Sequence, residues 1–250
     1  MMNLIKSDFK KIFYLPAYRN FLMMTAVLSI LFGAIFLFTI NITQGKTFTE
    51  LTFMEMIDIS FLGIDVTTIM LIIFTAILIS NNLAPGVVHT NLAITPDRRK
   101  YFLSKVLFLI VLFTLISIAV AALLVLMSQI IASVIGVSGL SAAGSVFFRV
   151  LIGSVIMVLF YTLLSVAGTF YIQSAAGGIT FALGVMFLPA LIKMFPDGVS
   201  DPLLLVFPEH ALNYFISADN SSFVLSAAVL LVWIIIPTLI GLWKFKKTDY

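Results

Sequence analysis

The sequence contains no cysteine and only two histidines among its 250 residues. Without cysteine there is no disulfide, no thiolate nucleophile and no cysteine-type zinc site. Charged residues are also scarce, at 10%, whereas 62% of the residues are hydrophobic. Soluble domains are about 25% charged and about 45–50% apolar, and a soluble fold of this length cannot bury so much apolar surface. The composition therefore excludes a soluble enzyme or binding domain and indicates a helical membrane protein.

Motifs for nucleotide binding and proteolysis are present only in part. Gly45-Lys46-Thr47 resembles the end of a phosphate-binding loop, but isoleucine stands at position 40, where that motif requires glycine. Gly136-Val137-Ser138-Gly139 resembles the nucleophile motif of rhomboid proteases, yet the last apolar run has no histidine to act as a base. Basic residues flank apolar runs, which favours lipid over nucleic acid as their partner. We predict no catalytic, metal or cofactor site in this chain.

Apolar runs long enough to cross a bilayer, which takes about 20 residues, occur six times. They cover residues 21–40, 66–83 (with a start near Ser60), 106–131, 150–171, 177–195 and 223–243. The fifth run is the weakest, because Pro189 and Pro196 interrupt its outer end. The sequence thus predicts an all-α membrane protein in which residues 1–250 form a single transmembrane domain of six helices.

The distribution of lysine and arginine predicts the orientation of these helices. With the N-terminus inside, the basic residues on the inner side are Lys6, Lys10, Lys11, Arg19, Arg98, Arg99, Lys100, Lys105, Lys244, Lys246 and Lys247. The acidic residues on the outer side are Glu50, Glu55, Asp58, Asp65, Asp197, Asp201, Glu209 and Asp219. Only Lys46, Arg149 and Lys193 lie outside against this trend. Because lysine and arginine collect on the cytoplasmic side, we expect both termini to be cytoplasmic.

Two segments beside the spans carry patterns of their own. Within residues 1–19, apolar side chains recur at helical spacing opposite lysines, and Pro16 follows. This pattern predicts an amphipathic helix in the inner headgroup region. Residues 193–220 contain three further prolines after Lys193 and an apolar patch at 203–207 that is too short to span a bilayer. A re-entrant helical hairpin and a plain external loop both fit that segment.

The loop at residues 81–105 is the interior loop richest in positive charge, and it carries a pattern. Asn82-x-x-x-Gly86, Leu92, Pro96, Arg98-Arg99, Tyr101 and Ser104-Lys105 resemble the cytoplasmic loop between the second and third helices of ABC-2 type transporter permeases. The N-terminal interfacial helix, the six spans and the cytoplasmic termini are also similar. Asn82 is neutral where that family has an acidic residue. The chain is most similar to small permeases of Gram-positive peptide exporters, such as those for lantibiotic immunity or phenol-soluble modulins.

This resemblance implies the transmembrane subunit of an ATP-driven exporter in the bacterial cell membrane. It implies export of a hydrophobic substrate, specifically an amphipathic or antimicrobial-type peptide. A separate cytoplasmic P-loop ATPase would bind ATP and Mg²⁺, and a second permease subunit, identical or paralogous, would complete the path. The residues implied to contact the ATPase are Gly86, Val87, Val88, Leu92, Pro96, Arg98, Arg99 and Lys105. The alternative is a stand-alone secondary transporter or channel, although Asp65, the best intramembrane charge, is expected at the outer boundary.

Overall fold

The computed structural model describes residues 2–40, 50–94, 96–136, 144–216 and 223–248, and within these ranges the fold is helical without a strand. Its helices are α1 (Met2–Tyr14), α2 (Pro16–Phe38), α3 (Phe53–Ser60), α4 (Leu62–Leu83), α5 (Pro85–Ile94), α6 (Arg98–Ile135), α7 (Gly144–Ile172), α8 (Ala175–Ile192), α9 (Asp197–Val206), α10 (Pro208–Ile216) and α11 (Phe223–Lys247). Six helical stretches in the described residues are long and apolar enough to cross a membrane. The predicted all-α fold with six such helices is confirmed.

The second of these stretches begins earlier than the sequence predicts. It runs over Phe53–Leu83, with a turn at Phe61 that divides α3 from α4. A capping box starts it: the Glu55 backbone N–H donates to Thr52 Oγ1 (3.3 Å), and the Thr52 N–H donates to the Glu55 carboxylate (2.9 Å). Acidic residues favour the first turn of a helix. Here Glu55 lies in the first turn of α3, whereas the sequence places it on the outer side, before the predicted span.

The centre of the bundle consists of α4 and α7. In an 18-residue apolar window of each membrane-length stretch, the buried share is 61% for Phe53–Leu83 and 61% for Val150–Ile172. The corresponding share is only 22% for Pro16–Phe38 and 17% for Val224–Lys247. Helix α4 packs against α2, α6, α7 and α8, while α11 lies on α7. The flanking helices α2 and α11 therefore present most of their apolar side chains to the surroundings, as expected of helices that face lipid.

Hydrogen bonds made by hydroxyl side chains join the packed helices. The Ser29 and Thr67 hydroxyl oxygens lie 2.6 Å apart across the α2–α4 contact, and Ser128 of α6 donates to Ser60 of α3 (2.9 Å). Ser165 of α7 donates to the backbone oxygen of Ile72 in α4 (3.0 Å). Hydroxyl side chains serve this purpose in membrane bundles because they are small and satisfy one another in an apolar setting.

The segment at 193–220 forms two short helices, α9 and α10, over its described part, while residues 217–220 lie outside the described residues. Helix α10 packs against α7 and α11, and the Trp233 ring N–H of α11 donates to the backbone oxygen of Val206 in α9 (2.8 Å). The described part of this segment is therefore helical, which fits a re-entrant hairpin and also a helical segment outside the bilayer. Its depth in a bilayer remains a prediction.

Candidate coupling site

The loop between the second and third apolar stretches contains a helix of its own, α5. Its 10 residues span about 15 Å. Ala84, the residue before Pro85, has φ −56° and ψ 138°, so the chain leaves the α-helical conformation there and α4 ends. The backbone N–H groups of Val87 and Val88 both donate to the Ala84 oxygen (2.9 Å each), which starts α5. Proline thus separates the two helices and fixes the direction of α5.

One side of α5 packs inward and the other is open. Val88 is fully buried (0% exposed) and Leu92 packs partly buried against the same core, whereas Val87 is 41% exposed. Gly86 is also exposed, and a Cβ added to it would meet no atom within 4 Å. Of the residues predicted to contact an ATPase, Gly86 and Val87 lie on the accessible side. Val88 holds α5 onto the bundle.

Near the end of α4 from which α5 continues, a buried ion pair joins α1 to α6. The Lys105 ammonium lies 2.7 Å from each carboxylate oxygen of Asp8, with the two residues only 3% and 5% exposed. Lys11 approaches the same carboxylate at 3.9 Å. A buried charge requires such a partner, because removing it from water costs several kcal/mol. Replacing one member of a buried pair destabilises a protein by about 3–5 kcal/mol. Lys105, predicted to contact the ATPase, is held inside the protein in this structure.

Asn82, the position at which the resemblance leads one to expect an acidic residue, is also in this region. The Lys11 ammonium donates to its side-chain oxygen (3.4 Å), and its amide nitrogen donates to the Leu78 backbone oxygen (2.8 Å). The Tyr101 hydroxyl approaches the Asn82 backbone oxygen at 3.5 Å. The neutral amide therefore still receives a lysine from α1, so that α4 is joined to α1 and α6 without a second buried carboxylate.

Arg98, at the start of α6, binds the end of α11. Its Nη1 atom lies 3.1 Å from the backbone oxygen of Phe245, 3.0 Å from that of Lys246 and 2.6 Å from that of Thr248. The last carbonyls of a helix have no partner within the helix and carry partial negative charge, which the guanidinium group satisfies. The Tyr101 ring also stacks on Phe245, with centroids 5.8 Å apart. The loop is thus connected to the C-terminal helix.

The remaining predicted residues lie at the N-terminus of α6. Asp97 caps that helix by accepting hydrogen bonds from the backbone N–H groups of Arg99 (3.0 Å) and Lys100 (3.3 Å). These hydrogen bonds, above all the one from the Lys100 backbone N–H, lower the pKa of the Asp97 carboxyl. The capping carboxylate is therefore ionised at neutral pH. The side chains of Pro96 and Arg99 are exposed. These two residues therefore extend the open surface beyond α5.

These contacts define what the arrangement can do mechanically. Helix α5 is short and exposed on one side, and the helices next to it are joined by the Asp8–Lys105, Lys11–Asn82 and Arg98–Phe245 contacts. Packed interiors transmit displacement because they are dense and resist compression. Val88 and Leu92 of α5 pack on the hydrophobic core that α1, α4, α6 and α11 share, so the arrangement is suited to pass a displacement of α5 to these helices. The sequence does not reveal these contacts, because nothing in it pairs Asp8 with a lysine 97 positions away.

No model of a known protein family matches this sequence, and no curated protein sequence matches it. The class that the fold and composition define is a multi-pass α-helical membrane protein. Within the described residues, no group of three or more histidine, cysteine or carboxylate side chains is placed to hold a metal ion. The Gly45-Lys46-Thr47 segment and Ser138 lie outside the described residues.

Proposed function

We propose that this chain is the membrane subunit of an ATP-driven exporter in the bacterial cell membrane. In this proposal α5 receives the motion of a separate cytoplasmic P-loop ATPase, which binds the ATP and Mg²⁺. The observation that carries the proposal is the construction of α5, which is exposed at Val87 and tied through its inner side to the bundle. A helix with no catalytic group, open on one side and anchored on the other, suits the transfer of a mechanical displacement.

The shared location of α5 and both chain ends supports the same proposal. The Asp8–Lys105 and Arg98–Phe245 contacts bring α1 and the end of α11 to the end of the bundle that carries α5. The basic residues of the sequence concentrate at this end, which is the cytoplasmic one by the positive-inside rule. An ATPase bound there can contact α5, Arg99 and the basic C-terminal turn of α11 at once.

The proposed substrate is an amphipathic or antimicrobial-type peptide, and this part rests on the resemblance to peptide-exporter permeases. A second permease subunit, identical or paralogous, would pack on the bundle to enclose the transport path. The least buried apolar stretches, α2 and α11, offer faces that either lipid or such a subunit can cover.

Copurification tests the coupling role. The full-length protein, isolated from its own membranes in a mild detergent, is expected to retain an ATPase with a P-loop signature, identified by mass spectrometry. Val87→Asp places a charge on the exposed side of α5 and is expected to remove most of that ATPase, whereas Val87→Ile keeps the apolar surface and is expected to retain it. If Val87→Asp retains the ATPase in full, α5 is not the contact site. If no such ATPase copurifies with the wild-type protein, the proposal as a whole is contradicted.

A stand-alone secondary transporter is the second candidate, and one observation favours it. Asp58 and Asp65 line a cavity, and neither has an ion-pair or hydrogen-bond partner in the described part of the chain. Ionisable groups within membrane segments frequently belong to ion or substrate routes. This candidate predicts transport by the purified protein in liposomes without ATP or a partner, which the exporter proposal does not.

A further inference from the structure

A cavity of about 670 Å³ lies at the opposite end of the bundle from α5. It is bounded by α3, α4, α7, α8 and α10. Asp65 borders it from the first turn of α4, while Asn82 in the last turn of α4 meets Lys11 at the other end. The volume is within the range of about 300–1,000 Å³ that is typical of small-molecule sites. The cavity is therefore distinct from the coupling site.

Carboxylates from two parts of the chain line this cavity. Glu209 of α10 is paired with Lys193, whose ammonium lies 2.8 Å from Glu209 Oε1, so that pair is neutral overall. Asp58 of α3 and Asp65 of α4 have no ion-pair or hydrogen-bond partner in the part of the chain that the structure describes. The wall of the cavity thus carries negative charge that the protein does not itself compensate.

Tyr161 of α7 adds a buried polar group to the wall of the cavity. Its residue surface is only 2% exposed, it lines the cavity, and its hydroxyl group makes no hydrogen bond within the described residues. Among the described residues, every side-chain oxygen or nitrogen that is fully enclosed has a hydrogen-bond partner. The unpaired Tyr161 hydroxyl is therefore not fully enclosed, and the cavity is the space that Tyr161 lines. Buried hydroxyl groups normally have a partner, so this hydroxyl is available to a molecule that enters the cavity.

The rest of the wall is apolar. Phe61, Ile69, Met157, Met186 and Phe187 line it beside the polar groups. An apolar wall with few polar groups is the usual construction of a site for an organic molecule. The carboxylates, in contrast, are not arranged as a metal site, since no metal-holding group occurs among the described residues. The chemistry that matches both parts of the wall is a positively charged amine attached to an apolar body.

We propose that this cavity is a binding site for a primary organic ammonium group carried on an apolar body. The ammonium N–H groups donate to the Asp65 and Asp58 carboxylates and to the Tyr161 hydroxyl oxygen, while the apolar body lies against Phe61, Met157 and their neighbours. Charge-assisted hydrogen bonds of this kind are stronger than neutral ones. The inference concerns binding only and holds whether or not an ATPase drives the protein. The same ammonium chemistry occurs in soluble amines and in ethanolamine headgroups of lipids.

The probe for this site is dansylcadaverine, a primary amine on a fluorescent aromatic body. Its binding is measured with the full-length protein in nanodiscs of phosphatidylcholine, and its N-acetyl derivative is the neutral control. We expect the acetylated compound to bind at least about tenfold more weakly, because it has lost the charge that the carboxylates attract. Equal binding of the two compounds overturns the proposal.

Variants locate the site. Asp65→Asn keeps the shape and removes one charge, and we expect it to weaken dansylcadaverine binding about tenfold or more. Asp201→Asn is the matched control, because Asp201 is exposed on α9 and does not line the cavity; it should bind within about twofold of wild type. Equal weakening by both variants, or by neither, contradicts the assignment. Tyr161→Phe, expected to weaken binding about threefold or more, keeps the test decisive if Asp65→Asn does not fold.

Lipid composition then separates the two sources of the ammonium group. Nanodiscs that contain phosphatidylethanolamine reduce dansylcadaverine binding to the wild type if the natural occupant is a lipid headgroup. Unchanged binding in those nanodiscs assigns the cavity to a soluble amine. In both outcomes the effect of Asp65→Asn in pure phosphatidylcholine decides whether the site exists.

Discussion

Asp8 and Lys105 form a buried ion pair next to the candidate coupling site, and we expect this pair to be sensitive to substitution. Replacing Asp8 by asparagine leaves the Lys105 ammonium buried at 3% exposure without a carboxylate partner among the described residues. Breaking a buried pair in this way costs about 3–5 kcal/mol. We therefore expect Asp8→Asn to lower the thermal unfolding midpoint clearly in detergent, followed by the fluorescence of the two tryptophans.

The matched control is Asp97→Asn. Asp97 forms an ion pair with Lys100 at 3.5 Å, but both side chains are largely exposed (44% and 67%). Exposed pairs contribute little because water screens them, and asparagine keeps the helix cap. We expect almost no change in the midpoint. The double variant Asp8→Asn/Lys105→Met, which removes both buried charges, should recover stability relative to Asp8→Asn. Equal midpoints for Asp8→Asn and wild type contradict the importance of the pair.

The sequence groups Gly86, Val87, Arg98 and Lys105 in one loop, and the structure shows how differently these residues are placed at one end of the bundle. Their contact with an ATPase stays a prediction. The sequence could not tell which of Val87 and Val88 is buried, because α5 is short and weakly amphipathic. In the structure Val88 packs on the core and Val87 is exposed. Arg98 likewise resembled a surface charge, although it caps α11, because its partners are 147 or more positions away.

Among the helices, the crossing of α2 with α4 depends on glycine. A Cβ added to Gly63 would clash with the backbone oxygen of Ser29, and one added to Gly33 would lie 2.7 Å from the backbone oxygen of Ser60. Backbone atoms cannot move aside without separating the helices. We expect Gly63→Ala to destabilise the protein by about 1–3 kcal/mol, and to lower the same unfolding midpoint.

Gly184→Ala tests whether that loss comes from close packing. Gly184 lies within α8, where an added Cβ would meet nothing within 4 Å. Alanine favours a helix over glycine by about 1 kcal/mol. The midpoint of Gly184→Ala should therefore stay unchanged or rise slightly. A similar fall for both substitutions would show that glycine is required for some reason other than the α2–α4 contact.

Helix existence was predictable and helix ends were less so. All six apolar runs became helices because a length near 20 residues and high hydropathy leave no other structure in a bilayer. The ends depended on local capping, as in the Thr52–Glu55 box that begins α3. Helix α6 is 38 residues long, about 57 Å, because the Asp97 cap starts it well before the apolar run.

For the molecule as a whole, the orientation in the membrane is the prediction that sequence supports most strongly. The absence of cysteine makes the test direct, since each single-cysteine variant carries one thiol. We expect a membrane-impermeant maleimide to label Asp201→Cys in intact cells, and to label Arg99→Cys and Lys247→Cys only after the membrane is opened. Labelling of Lys247→Cys in intact cells would contradict cytoplasmic termini.

The whole-molecule function was less predictable than the fold. Composition indicates the membrane class and charge predicts the orientation, because both depend on sums over many residues. The candidate coupling surface and the proposed amine site depend on a few side chains brought together from distant segments. Asp58 and Asp65 illustrate the difference: the sequence places both on the outer side, with Asp65 at the boundary of the second span, and it does not reveal that the packing of α7 and α10 beside them creates a cavity.

We propose that the exposed side of α5 contacts an ATPase, and site-specific photo-crosslinking in living cells detects such a contact where it occurs. A photoreactive amino acid at position 87 or 90, both on exposed positions of α5, should form a covalent adduct with a P-loop ATPase identified by mass spectrometry. The same amino acid at position 103, exposed on the apolar surface of α6, should not. No ATPase adduct from positions 87 and 90, or an equal yield from position 103, would contradict the claim.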